Sequence, residues 1–171
     1  DACVDGRDVS ALYSGDTIIQ RGAWGAMALE RAWIRFAFQH VDRRPERRWY
    51  WFLVCKGYRT YRYLPVYFHR YHPCPGRGLP GFDQTVLNQL ASGRFGHGYD
   101  PVRGVVTVPD DYRLKPGLGG IGDRELRDPR IAFFQERNPG WPQGCELACL
   151  VELSRDNLKR GAMRLLAGGA A

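Results

Sequence analysis

SALYSGDTIIQRGAWGAMALERAWIRFAFQH, residues Ser10 to His40, is the stretch on which the fold turns. Val9 to Gln20 holds two short extended pieces around Ser14-Gly15-Asp16, and β-branched Thr17-Ile18-Ile19 favours strand in the second. From Ala23 to His40 the pattern becomes helical. Met27, Leu29, Trp33, Ile34, Phe36 and Phe38 are apolar, while Glu30, Arg31 and Arg35 gather on one side, which predicts a helix buried over most of its circumference. Between strand and helix lies the turn Gln20-Arg21-Gly22-Ala23-Trp24-Gly25-Ala26.

Downstream, Asp42 to Arg48 is a polar loop with Pro45 inside it, and Trp49 to Cys55 is an unbroken apolar run. A run of that length, closed by Lys56 and Gly57, predicts a central strand covered on both faces. Tyr58 to Tyr71 carries Tyr61, Leu64, Tyr67, Phe68 and Tyr71 at three-to-four spacing, which predicts a helix with a kink or late start at Pro65. A Pro- and Gly-rich loop follows, then an amphipathic helix over Phe82 to Leu90 and a short strand over Val105 to Val108. Asp110 to Asp128 is irregular. Pro129 to Arg137 is helical with Ile131, Phe133 and Phe134 inward, Asn138-Pro139-Gly140 turns, Cys145 to Leu153 is a strand, and Asp156 to Leu166 is a last helix before a frayed tail. Alternating strands and helices predict an α/β or α+β chain with a parallel pair between the strand before residue 20 and the strand at 49–55.

At 171 residues, 44% of them apolar, the chain is sized for one domain and one core. No run approaches the roughly 20 apolar residues of a membrane span, and no signal-peptide pattern opens it. The sequence begins at Asp1, without Met, which suggests a fragment. Cysteines at 3, 55, 74, 145 and 149 are odd in number and scattered, so free thiols in a reducing cytoplasm are expected. The net charge of +7 is carried mainly by arginine, with lysine only at 56, 115 and 159. Such a surface attracts nucleic acid, acidic membranes or phosphate-bearing cofactors, and an arginine-heavy composition also follows from a GC-rich genome.

The turn at 20–26 has a specific chemical capacity. The first amide groups of a helix have no partner within it, carry partial positive charge and point along the axis. A pyrophosphate fits against them where no bulky side chain intervenes. Gly22, Gly25, Ala23 and Ala26 provide that clearance, and Arg21 adds a full charge. The plain structural alternative, a helix entry packed closely under a strand, uses the same small residues.

Strand, Gln/Arg-x-x-Gly-x-Gly/Ala turn, helix, strand and Tyr-bearing helix together resemble the acyl-CoA-binding half of the GCN5-related N-acetyltransferase superfamily, over residues 8 to 73. Counting from Gln20, Ala23 replaces the first Gly and Gly25 fits; counting from Arg21, Trp24 replaces it and Ala26 fits. The resemblance implies a mixed sheet with flanking helices, without the family's N-terminal strands. It places an acyl-CoA-binding core at 1–80 and a C-terminal extension at 81–171 on the same domain. It implies that Gln20, Arg21, Gly22, Ala23, Gly25 and Ala26 hold the pyrophosphate of acetyl-CoA or another acyl-CoA, and that the next strand splays to admit the pantetheine. It implies a tyrosine acid for the departing thiolate, Tyr67 or, behind it, Tyr63. A phenol suits that role because it stays protonated at neutral pH. The implied activity is acyl transfer to an amine or hydroxyl of a small molecule or peptide.

Two other constellations compete. His69, His72 and Cys74, with Cys145 and Cys149, are zinc-ligand types, but their spacing matches no common module and no metal is expected. Arg43, Arg44, Arg47, Arg48, Lys56, Arg59 and Arg62 interleave with Trp49, Trp51, Tyr58, Tyr61 and Tyr63, a pattern that suits single-stranded nucleic acid. A basic nucleic-acid or polyanion-binding module without catalysis is therefore the alternative function.

Overall fold

The structure, a computed structural model, describes residues 1–15, 27–107 and 120–168. Strands β1 (Ala2–Val4) and β2 (Arg7–Ser14) open the chain as an antiparallel hairpin. Its two-residue turn, Asp5-Gly6, has positive φ at both positions (47° and 73°), the geometry that matches the twist of the flanking strands. Helix α1 (Ala28–Arg43) then crosses over to β3 (Arg48–Cys55), which lies parallel to β2. Two short helices follow, α2 (Tyr58–Tyr61) and α3 (Tyr63–Tyr67), then the long α4 (Gly81–Phe95). The remainder is β4 (Tyr99–Asp100), β5 (Val105–Val106), α5 (Asp123–Leu126), α6 (Pro129–Arg137), β6 (Glu146–Glu152) and α7 (Arg160–Ala167).

The strands form one mixed six-stranded sheet in the order β1-β2-β3-β6-β5-β4. The α/β class and the parallel pair are thus as the sequence predicts. β6, late in the chain, inserts beside β3 in antiparallel register, Leu53 opposite Cys149 and Cys55 opposite Leu147. This central position explains the unbroken apolar runs. In β3, Trp49, Trp51, Leu53 and Cys55 enter one core layer with residues of α1, α2, α3, α6 and α7, while Tyr50, Phe52 and Val54 enter a second layer under α4. β6 alternates likewise, Leu147, Cys149 and Val151 against Ala148 and Leu150.

Several boundaries differ from expectation. The helix predicted over Tyr58 to Tyr71 breaks at Arg62 and ends at Tyr67. Pro65 sits in the first turn of α3, where its missing N–H costs nothing, and Phe68 turns extended to bridge Leu158. His72 then pairs with Leu150, each donating its N–H to the other's carbonyl at 2.9 Å. α4 outruns its predicted end, α1 runs on to Arg43, and α7 begins at Arg160 because residues 155–157 form a 3-10 turn. The second extended piece, Thr17 to Ile19, and the helical start at Ala23 lie outside the described residues, as does Val108. Asn138, wholly buried, donates from Nδ2 to the Cys145 carbonyl at 2.8 Å and closes the loop into β6.

Candidate functional site

The turn residues Gln20, Arg21, Gly22, Ala23, Gly25 and Ala26, and Trp24 with them, lie outside the described residues. Their flanks do not. β2 pairs with β3 from Val9 opposite Arg48 to Ser14 opposite Leu53, so the splay implied by the resemblance is not found over that span. Beyond it, Val54 and Cys55 run on with β6 as their strand partner among the described residues. The carboxyl end of β2 is anchored by the Trp51 indole, which donates to Ser14 Oγ at 2.8 Å. Trp51 in turn packs against Trp33 of α1, with ring centroids 5.1 Å apart.

Tyr63 and Tyr67 both belong to α3. One helical turn apart, they stand on the same side, their rings stacked at 6.2 Å with planes 12° apart. The helix is short, and its carbonyl ends are held from outside: Lys159 donates its backbone N–H to the Tyr67 carbonyl at 2.8 Å and its Nζ to the Pro65 carbonyl at 2.6 Å. Facing the pair is Glu30, in the first turn of α1. Burial raises the pKa of both phenols, and the nearby Glu30 charge raises it further; for Tyr63, hydrogen bonding to Glu30 adds to the effect. Both hydroxyls therefore stay protonated across the neutral range and can donate.

Glu30 was not singled out in the sequence, where it groups with Arg31 and Arg35 as part of a polar helix face. An acidic residue in a first helical turn is ordinary complementation of the macrodipole, so only the approach of α3 gives it meaning. Its Oε2 and, one turn on, Trp33 Nε1 are buried without a hydrogen-bond partner among the described residues. A buried acceptor and a buried donor one helical turn apart, both without a partner among the described residues, mark a polar spot near the start of α1. The cluster can hold a proton on a phenol, fix its direction, and offer polar contacts to a molecule entering near the start of α1.

The other tyrosines of this region are structural. Tyr61 is fully buried and donates to the Pro73 carbonyl at 2.8 Å, Tyr58 is buried, and Tyr71 lies half-buried against Tyr61 and Cys74. The zinc-type residues do not converge. His69 is exposed, while His72 is half-buried with its pKa lowered to about 4 by burial and the Arg137 charge. Cys149 sits in the core with its sulfur 3.8 Å from that of Cys55, and no group of three metal-ligand side chains forms among the described residues.

The basic and aromatic series is divided by the sheet. Trp49, Trp51, Tyr58 and Tyr61 are core residues and cannot stack on bases. Arg44 and Arg47 pair with Asp1, Arg47 also with Asp8, and Arg48 with Glu152 and Asp83. Among the described residues, no helix is long and apolar enough to cross a membrane. No protein-family model, curated protein or solved structure matches the chain.

Proposed function

We propose that the chain is an acyl-CoA-dependent acyltransferase of the GCN5-related N-acetyltransferase type, acting on an amine or hydroxyl acceptor. One observation carries this reading: Tyr63 and Tyr67 are held within electrostatic reach of Glu30, only four positions beyond the candidate pyrophosphate turn. In open α/β sheets, ligands bind outside the carboxyl ends of parallel strands. Here, residues 16–26 continue from the carboxyl end of β2, and α2 and α3 follow that of β3. In chain order the phosphate candidate follows β2 and the acid candidate follows β3, the two parallel strands of one β-α-β unit.

Acyl-CoA would supply an activated thioester and a thiolate leaving group. Arg21 and the amides of residues 22–26 would hold its diphosphate. The β2–β3 ladder stays closed through Ser14 and Leu53, so the pantetheine arm would enter past that pair, beside Val54 and Cys55. Tyr67, its proton retained by burial and by the Glu30 charge, would donate through its hydroxyl to the departing sulfur; Tyr63 stacks behind it and shares the same carboxylate.

CoA-dependent thermal stabilisation tests the binding half of this reading. Ligand at about 100 times its dissociation constant adds about 2.7 kcal/mol, a melting shift of roughly 5–10 °C for a chain of this size. Arg21→Glu is expected to abolish the shift, and Tyr67→Phe to leave it intact while lowering kcat by about 100-fold. An unchanged melting temperature across CoA, acetyl-CoA and longer acyl-CoAs would end the proposal. The nucleic-acid reading is weakened by the fold, because Trp49, Trp51, Tyr58 and Tyr61 of its stacking series are in the core.

A further inference from the structure

On the α4 side, the described residues cover the sheet incompletely. α4 packs Val86, Leu87 and Ala91 over Tyr50, Phe52 and Leu150, the centre of the sheet. Toward the outer strands, beyond the buried Val4 and Val9, β1 and β2 present the small side chains of Ala2 and Ala11. Two alanines where the neighbouring strand β3 carries Tyr50 and Phe52 leave unfilled volume, and the result is a pocket of about 200 Å³. Phe52 and Leu90 give it apolar walls, and Tyr13, Asp1 and Arg94 stand around it. The volume is below the roughly 300 Å³ at which drug-sized sites begin, so it suits a single ring or a short acyl body.

The two charged residues around the pocket are not equivalent. Asp1 is already engaged, pairing with Arg44 at 3.0 Å and Arg47 at 2.9 Å and accepting from Ser10 Oγ at 2.7 Å. Arg94, in the last turn of α4, stacks over the rings of Tyr13 at 5.2 Å and Phe95 at 6.0 Å, with no carboxylate pairing to it among the described residues. Its place at a helix C-terminus complements the macrodipole, but that explains the charge and not the cavity beside it. Stacking fixes the plane of the guanidinium while leaving its N–H edge free for the two-point grip that a carboxylate accepts.

We propose that this pocket is a binding site for a small carboxylate, its apolar or aromatic body lying between Phe52 and Leu90 and its anionic group on Arg94. The site lies in the core layer opposite Tyr63 and Tyr67, and it stands independently of the acyltransferase reading.

Titration with benzoate, followed by ligand-detected NMR, tests it, with benzamide as the uncharged isostere. Benzoate is expected to bind and benzamide to bind at least about tenfold more weakly. Arg94→Gln should bring benzoate down to the benzamide level while leaving benzamide unchanged. Ala11→Leu should fill the cavity and remove binding of both; Ala2→Leu, on the edge strand, does the same if the first variant does not fold. Equal affinity for the two probes, wild-type affinity in Arg94→Gln, retained binding in the filled variant, or no benzoate binding at millimolar concentration would each overturn the proposal. None of these readouts involves CoA, so the two readings fail separately.

Discussion

The two faces of the sheet are secured by different means. One is covered by α1, α2, α3, α6 and α7, whose apolar side chains interlock around Phe38, Phe68 and Phe134. On the other, α4 is the one helix among the described residues, and there the packing is supplemented by a polar clasp. Asp83 accepts from the Tyr50 hydroxyl at 2.5 Å and pairs with Arg48 at 3.2 Å, and Arg48 also holds Glu152 at 2.8 Å. Asn88 accepts from both Gln84 at 3.0 Å and Tyr99 at 2.9 Å. A single helix on a broad sheet has too little apolar surface to fix its own angle. Directional bonds from a buried carboxylate do that instead.

If this contrast is right, the largest loss comes from the apolar side. Phe134 is fully buried, and Phe134→Ala is expected to cost about 3–5 kcal/mol in urea unfolding. On the α4 side, the polar residue should matter next. Asp83→Ala leaves the Tyr50 hydroxyl buried without its acceptor and removes one of two carboxylates from Arg48, a loss of about 2–4 kcal/mol. Asp83→Asn keeps an acceptor for Tyr50 and should cost about half as much. Should Asp83→Ala prove neutral while Val86→Ala is severe, α4 is held by packing alone and the contrast disappears.

The same contrast decides what the sequence made legible. β3 and β6 are buried on both faces, so their apolar runs stand out without any knowledge of partners. α6 is bounded by Pro129 at its first position and by Asp128, whose Oδ1 accepts from the Arg130 N–H at 2.9 Å, and both signals are local. The β1–β2 hairpin also has a local signal in Asp5-Gly6, but β1 is three residues long, too short for an alternating pattern to show. Tyr63 and Tyr67 could be singled out through the family resemblance, since spacing alone gave only a helix. Their partner Glu30 could not, because α1 and α3 are distant in sequence and meet in the fold, where each packs against α7. The alanine-floored pocket was equally hidden: Ala2 and Ala11 have meaning only once β1, β2 and α4 are stacked.

A pH effect of intermediate size should come from His72, which pairs by backbone with the middle of β6. Its pKa is lowered from 6.5 to about 4, by burial first and then by the Arg137 charge. The unfolded chain therefore binds the proton more readily than the folded one. The stability that depends on neutral His72 is fully present above pH 6.5, declines as pH falls toward 4, and levels off below. His72→Phe should flatten that part of the stability profile relative to wild type while carboxylate contributions remain. A profile that keeps its slope in the variant would show that His72 is readily protonated in the folded state.

The smallest effect is expected where a polar contact lies outside the clasp. Arg155 donates from Nη2 to both carboxylate oxygens of Asp42 at 2.9 Å, and its guanidinium lies 5.6 Å from the Phe38 ring. By geometry alone this pair rivals the Asp83 contacts. Both side chains, however, are more than half exposed, at 55% and 52%. Solvent screens them, and breaking the pair uncovers no buried charge, so Asp42→Ala is expected to cost about 0.5 kcal/mol or less. α1 is held against α7 by Phe38, Ala162 and Leu165, none of which the change disturbs. The comparison of Asp42→Ala with Asp83→Ala therefore isolates burial from geometry. Equal losses would mean that both sheet faces depend on ion pairs, and that the five-helix layer is not the self-sufficient apolar body described above.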